Sequence, residues 1–179
     1  PRLREELGIK DAKVFLFVGK LSLVEGVDIL AKTAVALKGT GAELWIVGDG
    51  PYADIVKRLA ERYKHVRWFG WVPRPRIPLF MSSADYGLVP RRRRKTYVFY
   101  TYEGVLKIGE YLRCGLPVIA SGVAPSPYYL VVSDEEFPRV VREVALGKRS
   151  VPRPPKIPSW EDVSEKLVVE LIRMCSAAK

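Results

Sequence analysis

Glu110 is a carboxylate in a place where a ligand-binding role is chemically reasonable. It lies in the segment KIGEYLRCGLPVIAS, residues 107–121, where a helical pattern ends at Gly-Leu-Pro and an apolar run follows. On a helix that begins near Val105, that residue shares an apolar face with Ile108 and Leu112. Glu110 lies roughly 140° from this face at about 100° per residue. It is therefore predicted to lie outside the core.

The surroundings predicted for Glu110 suit a nucleotide. Its helix would follow the strand at 86–89 and so begin at the carboxyl edge of a sheet. Free amides in the first turn of such a helix attract a phosphate. A carboxylate about one turn into the helix can accept hydrogen bonds from both hydroxyls of a ribose. A glutamate that is simply solvated on the helix surface is the alternative interpretation.

Two glycine turns follow predicted strands and lead into predicted helices. They are VGKLSLVEGVDIL, which begins at Val18, and VGDGPYADI, which begins at Val47. Small, flexible residues at this position let backbone amides face an anion. Neither turn matches a Walker motif or a complete dinucleotide fingerprint. Simple turn geometry is therefore the alternative explanation.

Basic residues dominate the charge of the chain. There are 30 Lys and Arg against 20 Asp and Glu, a net charge of +10. This balance favours an anionic partner: a phosphate ester, nucleic acid or an acidic membrane surface. Five cations that follow the strand at 86–89 are candidates for phosphate contacts: Arg91, Arg92, Arg93, Arg94 and Lys95. A solvated basic loop, or a site for an acceptor or lipid phosphate, are the alternatives.

Metal, thiol and membrane-spanning functions find no support in the sequence. Two cysteines, Cys114 and Cys175, and one histidine, His65, provide neither a metal-ligand cluster nor a disulfide framework. No apolar stretch approaches the roughly 20 residues that cross a bilayer, and the first residues are charged. We expect a cytoplasmic protein that needs no cofactor, with membrane contact, if any, confined to its surface.

Apolar runs and helical patterns alternate along the chain. This alternation predicts an α/β fold, a Rossmann-like three-layer sandwich in which helices cover both faces of a mostly parallel sheet. Ligands of such folds bind at the carboxyl ends of the strands. Strands are predicted at 13–19, 43–47, 66–69, 86–89, 117–120 and 128–132, and helices at 24–37, 55–63, 76–83, from about 105, at 134–146 and at 160–174.

The domain organisation follows from one Pro-rich stretch. Residues 1–146 are predicted to form the Rossmann-like domain, and residues 147–159, GKRSVPRPPKIPS, an extended linker. Residues 160–179 carry a terminal helix, which either belongs to the same domain or docks on another one.

Six segments together resemble the carboxyl-terminal domain of retaining GT-B glycosyltransferases, in the large family called glycosyl transferases group 1. They are FLFVGKLSLVEGVDIL, LWIVGDGPY, VRWFGWVP, ADYGLVP, KIGEYLRCGLPVIAS and SWEDVSEKL. The resemblance covers nearly the whole chain. It implies one half of a GT-B fold, which binds a nucleotide-diphosphate sugar for retaining transfer of a hexose. The acceptor site would lie mostly in a missing amino-terminal domain, so the chain alone is expected to transfer nothing.

The resemblance also implies roles for individual residues. Glu110 matches the ribose-binding glutamate, and Lys20 matches a basic residue that touches the diphosphate. Leu106 and Lys107 match positions whose amides approach the diphosphate, and the turn at 70–72 matches the one whose backbone holds the base. The implied donor-binding set is Gly19, Lys20, Gly70, Trp71, Val72, Val105, Leu106, Lys107 and Glu110, with Lys20 and Glu103 as catalytic candidates.

Three departures from the family pattern bear on catalysis. Glu25 stands where the family usually has a lysine that neutralises the diphosphate, and a carboxylate there would repel that group. One or two of the cations at 91–95 could supply the positive charge that Glu25 lacks. Tyr102 stands where many members carry a second glutamate, with Glu103 beside it. Gly104 comes one place earlier than the usual glycine. Either the loop slips by one residue so that Glu103 serves, or the chain does without that carboxylate.

Two other functions stay open from the sequence. One is a non-catalytic module whose basic face binds nucleic acid or an acidic membrane, although no specific nucleic acid is expected. The other is a degenerate transferase fold that has lost its ligand, which Glu25 makes credible.

Overall fold

The computed structural model describes residues 2–92, 105–154, 156, 161, 164, 165, 167–170 and 173. Within these residues six strands form one sheet in the order β3-β2-β1-β4-β5-β6, and every neighbouring pair is parallel. The predicted α/β class is confirmed. The strands are β1 Val14–Val18, β2 Glu43–Val47, β3 Val66–Trp68, β4 Tyr86–Pro90, β5 Val118–Ser121 and β6 Leu130–Val132.

Helices cover both faces of this sheet. Those named in the described part of the chain are α1 Arg2–Glu6, α2 Val27–Ala36, α3 Ala53–Arg62, α4 Ile77–Ser83, α5 Leu106–Arg113 and α6 Phe137–Ala145, and a 3-10 turn at Arg74–Arg76 precedes α4. One core cluster joins α2, α3 and α6 to the sheet. The other joins α1, α4 and α5 to the opposite face. The two clusters give the predicted three layers.

The strands form where apolar runs permit burial on both faces. In β1, Phe15 and Phe17 enter the cluster with α2 and α6, whereas Val14 and Leu16 enter the cluster on the other face. All four side chains are fully buried. A run of this type, without polar alternation, is typical of a parallel strand covered on both sides.

The predicted elements differ from the observed ones mainly at their ends. The strand expected from residue 128 begins at Leu130, because Tyr129 is buried with its hydroxyl donating to the Ala124 carbonyl at 3.0 Å. The helix expected from residue 134 begins at Phe137, because residues 133–136 form a turn in which Ser133 Oγ accepts a hydrogen bond from the Glu136 amide at 3.2 Å. The helix α1 was not predicted.

The linker and the terminal helix lie partly outside the described residues. Residues 147–154 and 156 of the linker contain no helix or strand, and Val151 packs against the core cluster of α2 and α6. Of the predicted helix 160–174, residues 161, 164, 165, 167–170 and 173 are helical. The division of the chain at these positions stays a prediction. Among all described residues, no helix has the length and hydrophobicity needed to cross a bilayer.

Candidate functional site

A cavity of about 930 Å³ opens at the carboxyl edge of the sheet. After β3 the chain crosses to the other side of β1, so the strand order reverses between β1 and β4. Ligands of open α/β sheets bind at such a reversal. The cavity wall includes the end of β1, the residue after β4, the first turn of α5 and the segment that leads into α4. Its lining residues include Gly19, Glu25, Trp71, Val72, Arg74, Arg91, Val105, Leu106, Lys107 and Glu110.

Helix α5 is fixed to the sheet by Tyr111. The buried Tyr111 hydroxyl accepts a hydrogen bond from the Val18 amide at 2.8 Å and donates one to the Leu16 carbonyl at 3.1 Å. Its ring lies over Gly87, where an added Cβ would come within 2.6 Å of the ring. Burial raises the pKa of the Tyr111 phenol. Tyr111, Ile108 and Leu112 are the buried residues of α5, so the side of the helix opposite this buried face is turned toward the cavity.

Glu110 lies on that opposite side. Ile108 and Leu112 are buried, as the periodicity predicted, whereas the Glu110 side chain is 42% exposed and lines the cavity. Its Oε1 atom is 3.2 Å from Arg74 Nη2. The prediction that Glu110 lies outside the core is confirmed, and its ribose-binding role stays a prediction.

The first turn of α5 offers backbone amides to the cavity. The residue before the helix is Val105, whose apolar side chain has no oxygen to cap the free amides. Leu106 and Lys107 follow, and both line the cavity. The amino end of a helix favours an anion through these amides and through the helix dipole.

Three charged side chains form an ion cluster in the cavity wall: Glu25, Arg91 and Lys107. Lys107 Nζ lies 2.5 Å from Glu25 Oε2, and Arg91 Nη2 lies 3.2 Å from Glu25 Oε1. Each of the three side chains is less than one-fifth exposed. Lys107 Nζ also lies 4.6 Å from the centre of the Phe17 ring. Burial lowers the pKa of Lys107, and the carboxylate of Glu25 opposes this change.

Close backbone packing creates this ion cluster. Gly26 has φ 78°, and an added Cβ there would lie 1.5 Å from the Pro90 carbonyl oxygen. The loop before α2 therefore touches the end of β4, which places Glu25 beside Arg91. Ser121 Oγ donates a hydrogen bond to the Arg91 carbonyl at 2.9 Å and so fixes the backbone of that residue from β5.

The ion cluster bears on the expectation drawn from Glu25. The sequence predicted a carboxylate that would repel an anion unless a cation of 91–95 compensated for it. The structure pairs this carboxylate with two cations, so the net charge of the ion cluster is positive. Of the five phosphate-binding candidates, Arg91 lines the cavity. Arg92 instead forms an ion pair with Asp28 of α2, and this contact raises the pKa of Arg92.

Apart from the lining residues named above, the other predicted site residues lie outside the described residues or outside the lining of the larger cavity. Arg93, Arg94, Lys95, Tyr102, Glu103 and Gly104 lie outside the described residues. Lys20 lines a neighbouring cavity of about 300 Å³, not the larger one. Trp71, whose side chain is largely exposed, lines both. Gly70 lines neither, and its carbonyl accepts a hydrogen bond from the Gly48 amide at 2.7 Å.

Several lining residues were not predicted from the sequence. For Lys107 the sequence indicated a role of the amide but not of the side chain. The other lining residues that were not predicted are Val18, Arg74, Ile77, Pro78, Met81, Arg113 and Cys114. The stretch VPRPRIP, which begins at Val72 in the turn at 70–72, was the available signal for three of these: Arg74, Ile77 and Pro78.

The cavity lining carries a net positive charge, because it has four basic and two acidic side chains. In the described part of the chain, no three His, Cys, Asp or Glu side chains lie together as a metal site would require.

Comparison with known proteins gives a consistent result. The family model described as "Glycosyl transferases group 1" matches residues 12–143. A GDP-mannose-dependent alpha-(1-6)-phosphatidylinositol monomannoside mannosyltransferase from Mycolicibacterium smegmatis is 30% identical over 131 residues, which cover 69% of this chain and 34% of that protein. Spore coat protein SA from Bacillus subtilis is 24% identical over 93% of this chain and 50% of that protein. The chain thus spans about a third to a half of these curated relatives.

Solved structures show the same fold. Anabaena HepE in complex with UDP and glucose superposes with a TM-score of 0.61 at 21% identity, over 79% of this chain and 41% of that one. The C-terminal domain of a glycosyl transferase group 1 family protein from Francisella tularensis gives a TM-score of 0.60 at 16% identity, over 82% of this chain and 83% of that one.

Proposed function

The chain belongs to the glycosyl transferases group 1 family, and from that premise we propose that it is the donor-binding domain of a retaining glycosyltransferase. It binds a nucleotide-diphosphate sugar in the cavity at the carboxyl edge of the sheet. The observation that carries this proposal is the convergence, in one cavity, of a helix amino end, two cations that are less than one-fifth exposed and an accessible carboxylate.

The diphosphate is assigned to the positive part of the cavity. Lys107 and Arg91 supply charge, and the amides of Leu106 and Lys107 supply hydrogen-bond donors. Charge-assisted hydrogen bonds to an anion are roughly twice as strong as neutral ones. Lys20, in the adjoining cavity, is the further cation that family resemblance assigns to this group.

The nucleoside is assigned to the other parts of the cavity. Glu110 accepts hydrogen bonds from the ribose hydroxyls, because its carboxylate is accessible and lies one turn into α5. The turn at 70–72 holds the base through its backbone. Trp71 adds an exposed aromatic face that lines the same cavity.

The chemistry of this family explains why cations are needed. The bond between the anomeric carbon of the sugar and a diphosphate oxygen breaks, and negative charge collects on the departing diphosphate. Donors already aimed at this charge lower the barrier to its departure. Lys107, Arg91 and the first amides of α5 act in this way. No general base is assigned, and Glu103 stays a candidate for the carboxylate near the sugar.

Transfer also needs an acceptor site, which we assign to a part of the protein outside this chain. In support, the chain spans only about a third to a half of its curated relatives. One relative is named for GDP-mannose and a phosphatidylinositol monomannoside, and one structural neighbour contains UDP. GDP and UDP are therefore the first nucleotides to test. An acceptor carried by a membrane lipid, reached by peripheral contact from the cytoplasm, is part of this proposal.

Isothermal titration calorimetry of the chain with GDP, UDP and ADP tests the proposal. We expect saturable binding of at least one of them, weakened by substitution of Lys107. Absence of binding by all three would support the degenerate fold. A different result would support the non-catalytic module: the chain binds none of these nucleotides but binds a single-stranded oligonucleotide or anionic vesicles tightly. That binding should weaken steeply as the salt concentration rises.

A further inference from the structure

Glu25 contacts the two cations to which we assign the diphosphate, although its own charge opposes that ligand. Its two carboxylate oxygens divide between them, Oε2 toward Lys107 at 2.5 Å and Oε1 toward Arg91 at 3.2 Å. The carboxylate is 19% exposed. Because this carboxylate is nearly buried and bridges two cations, it is not simply a solvated charge in a surface loop.

Without Glu25, the surroundings of Lys107 would disfavour the charged form of its side chain. Its side chain is 15% exposed, and its Nζ lies against the Phe17 ring and so close to Gly19 that a Cβ there would be 2.5 Å away. Arg91 approaches the same carboxylate. Burial and a neighbouring cation both favour a neutral lysine.

We propose that Glu25 is a positioning residue that keeps Lys107 charged and directed at the cavity, so that the diphosphate meets two cations already in place. This inference rests on the proposed donor-binding function. It also explains why position 25 departs from the family pattern, in which a lysine is usual. Lys107 supplies the cation instead, and Glu25 is the counter-ion of Lys107.

The charged groups that face Lys107 decide the sign of the effect. Glu25, in the loop before α2, and Glu110, on α5, favour the charged lysine, whereas Arg91, after β4, and burial disfavour it. Glu110 is already shared with Arg74. Removal of Glu25 should therefore lower the pKa of Lys107, and the charged form should be lost as the pH rises.

The first test measures Lys107 without any ligand. NMR of protein labelled with 13C at the lysine Cε follows each ammonium through a pH titration, and Lys107→Gln identifies the resonance. In Glu25→Gln we expect the pKa of Lys107 to fall by at least about one unit. Glu61→Gln, which removes an exposed carboxylate on α3, should leave it unchanged. An unchanged pKa in Glu25→Gln would overturn the inference.

The second test measures binding of GDP or UDP, whichever the unaltered chain binds, at pH 6.5 and at pH 9. Affinity of Glu25→Gln should be near that of the unaltered chain at the lower pH and at least tenfold weaker at the higher. Glu25→Asp, which keeps the charge, should restore much of the loss. If the ratio of the Glu25→Gln affinity to that of the unaltered chain were the same at both pH values, the inference would be overturned. If neither nucleotide binds, the donor-binding function fails, while the NMR titration still decides the role of Glu25.

Discussion

Arg74 and Glu110 meet across the mouth of the cavity: Arg74 Nη2 lies 3.2 Å from Glu110 Oε1. The arginine precedes α4 and the glutamate lies on α5, so this contact joins two walls of the cavity. The Arg74 side chain is 85% exposed. The carboxylate that we assign to the ribose is therefore held by a partner that can leave it at little cost.

Arg74→Ala should change stability by less than about 0.5 kcal/mol, because exposed ion pairs contribute little. It should also leave nucleoside diphosphate affinity unchanged or slightly stronger, because Arg74 and the ribose hydroxyls compete for Glu110. Thermal unfolding and calorimetric titration measure the two effects, with Arg76→Ala as an exposed control. A tenfold loss of affinity in Arg74→Ala alone would show that Arg74 holds the ligand.

Tyr111→Phe should destabilise the domain by about 1–3 kcal/mol, the cost of leaving buried polar groups without a partner. The groups affected are the Val18 amide and the Leu16 carbonyl. Urea unfolding measures this loss. Tyr52→Phe is the matched control, since its hydroxyl has no hydrogen-bond partner within the described part of the chain. Equal stabilities of the two variants would contradict the role given to Tyr111.

Gly26→Ala should cost more than about 2 kcal/mol, because a positive φ is unfavourable for alanine and backbone atoms block the new methyl group. The obstructing atom is the Pro90 carbonyl oxygen. Gly39→Ala provides the comparison: its φ is 76°, but an added Cβ meets nothing within 4 Å. Chemical unfolding measures the stability of both variants. Gly39→Ala gives the cost of the positive φ alone, and any further loss in Gly26→Ala is the cost of the clash with Pro90. Gly26→Ala should be the less stable of the two, and equal stabilities would contradict the contact between Gly26 and Pro90.

The 179-residue chain alone should catalyse no sugar transfer from GDP-mannose or UDP-glucose, because the acceptor site is assigned to another part of the protein. Release of GDP or UDP in the presence of candidate glycolipid acceptors is the measurement. Transfer at any rate above that of heat-denatured protein would place the acceptor site within these residues.

Much of the architecture could be predicted because it depends on local patterns. The apolar run of β1 and the periodicity around Glu110 correspond directly to burial in the structure. The helix α1 was missed because five residues carry too little pattern. Its position depends on distant contacts, such as the 3.1 Å ion pair between Arg4 and Asp85.

The ion cluster could not be predicted for the same physical reason. Glu25 and Lys107 are 82 residues apart in the chain. Gly26 lets the loop before α2 touch the end of β4, and this tertiary contact places Glu25 in the wall of the cavity that Lys107 also lines. The sequence offered the cations at 91–95 as a source of compensating charge for Glu25, and Arg91 is such a partner. It gave no signal for the side chain of Lys107, which only the tertiary structure brings to Glu25.

The most direct test of the account concerns Glu110 and the ribose. Affinities of the chain and of Glu110→Ala are measured for GDP or UDP and for the matching 2′,3′-dideoxynucleoside diphosphate. A carboxylate that accepts hydrogen bonds from the ribose contributes about 1.5–3 kcal/mol, so the substitution should cost roughly tenfold or more with the natural ligand. It should cost almost nothing with the dideoxy ligand. Equal losses for both ligands, or no loss for either, would contradict the assignment of Glu110 to the ribose.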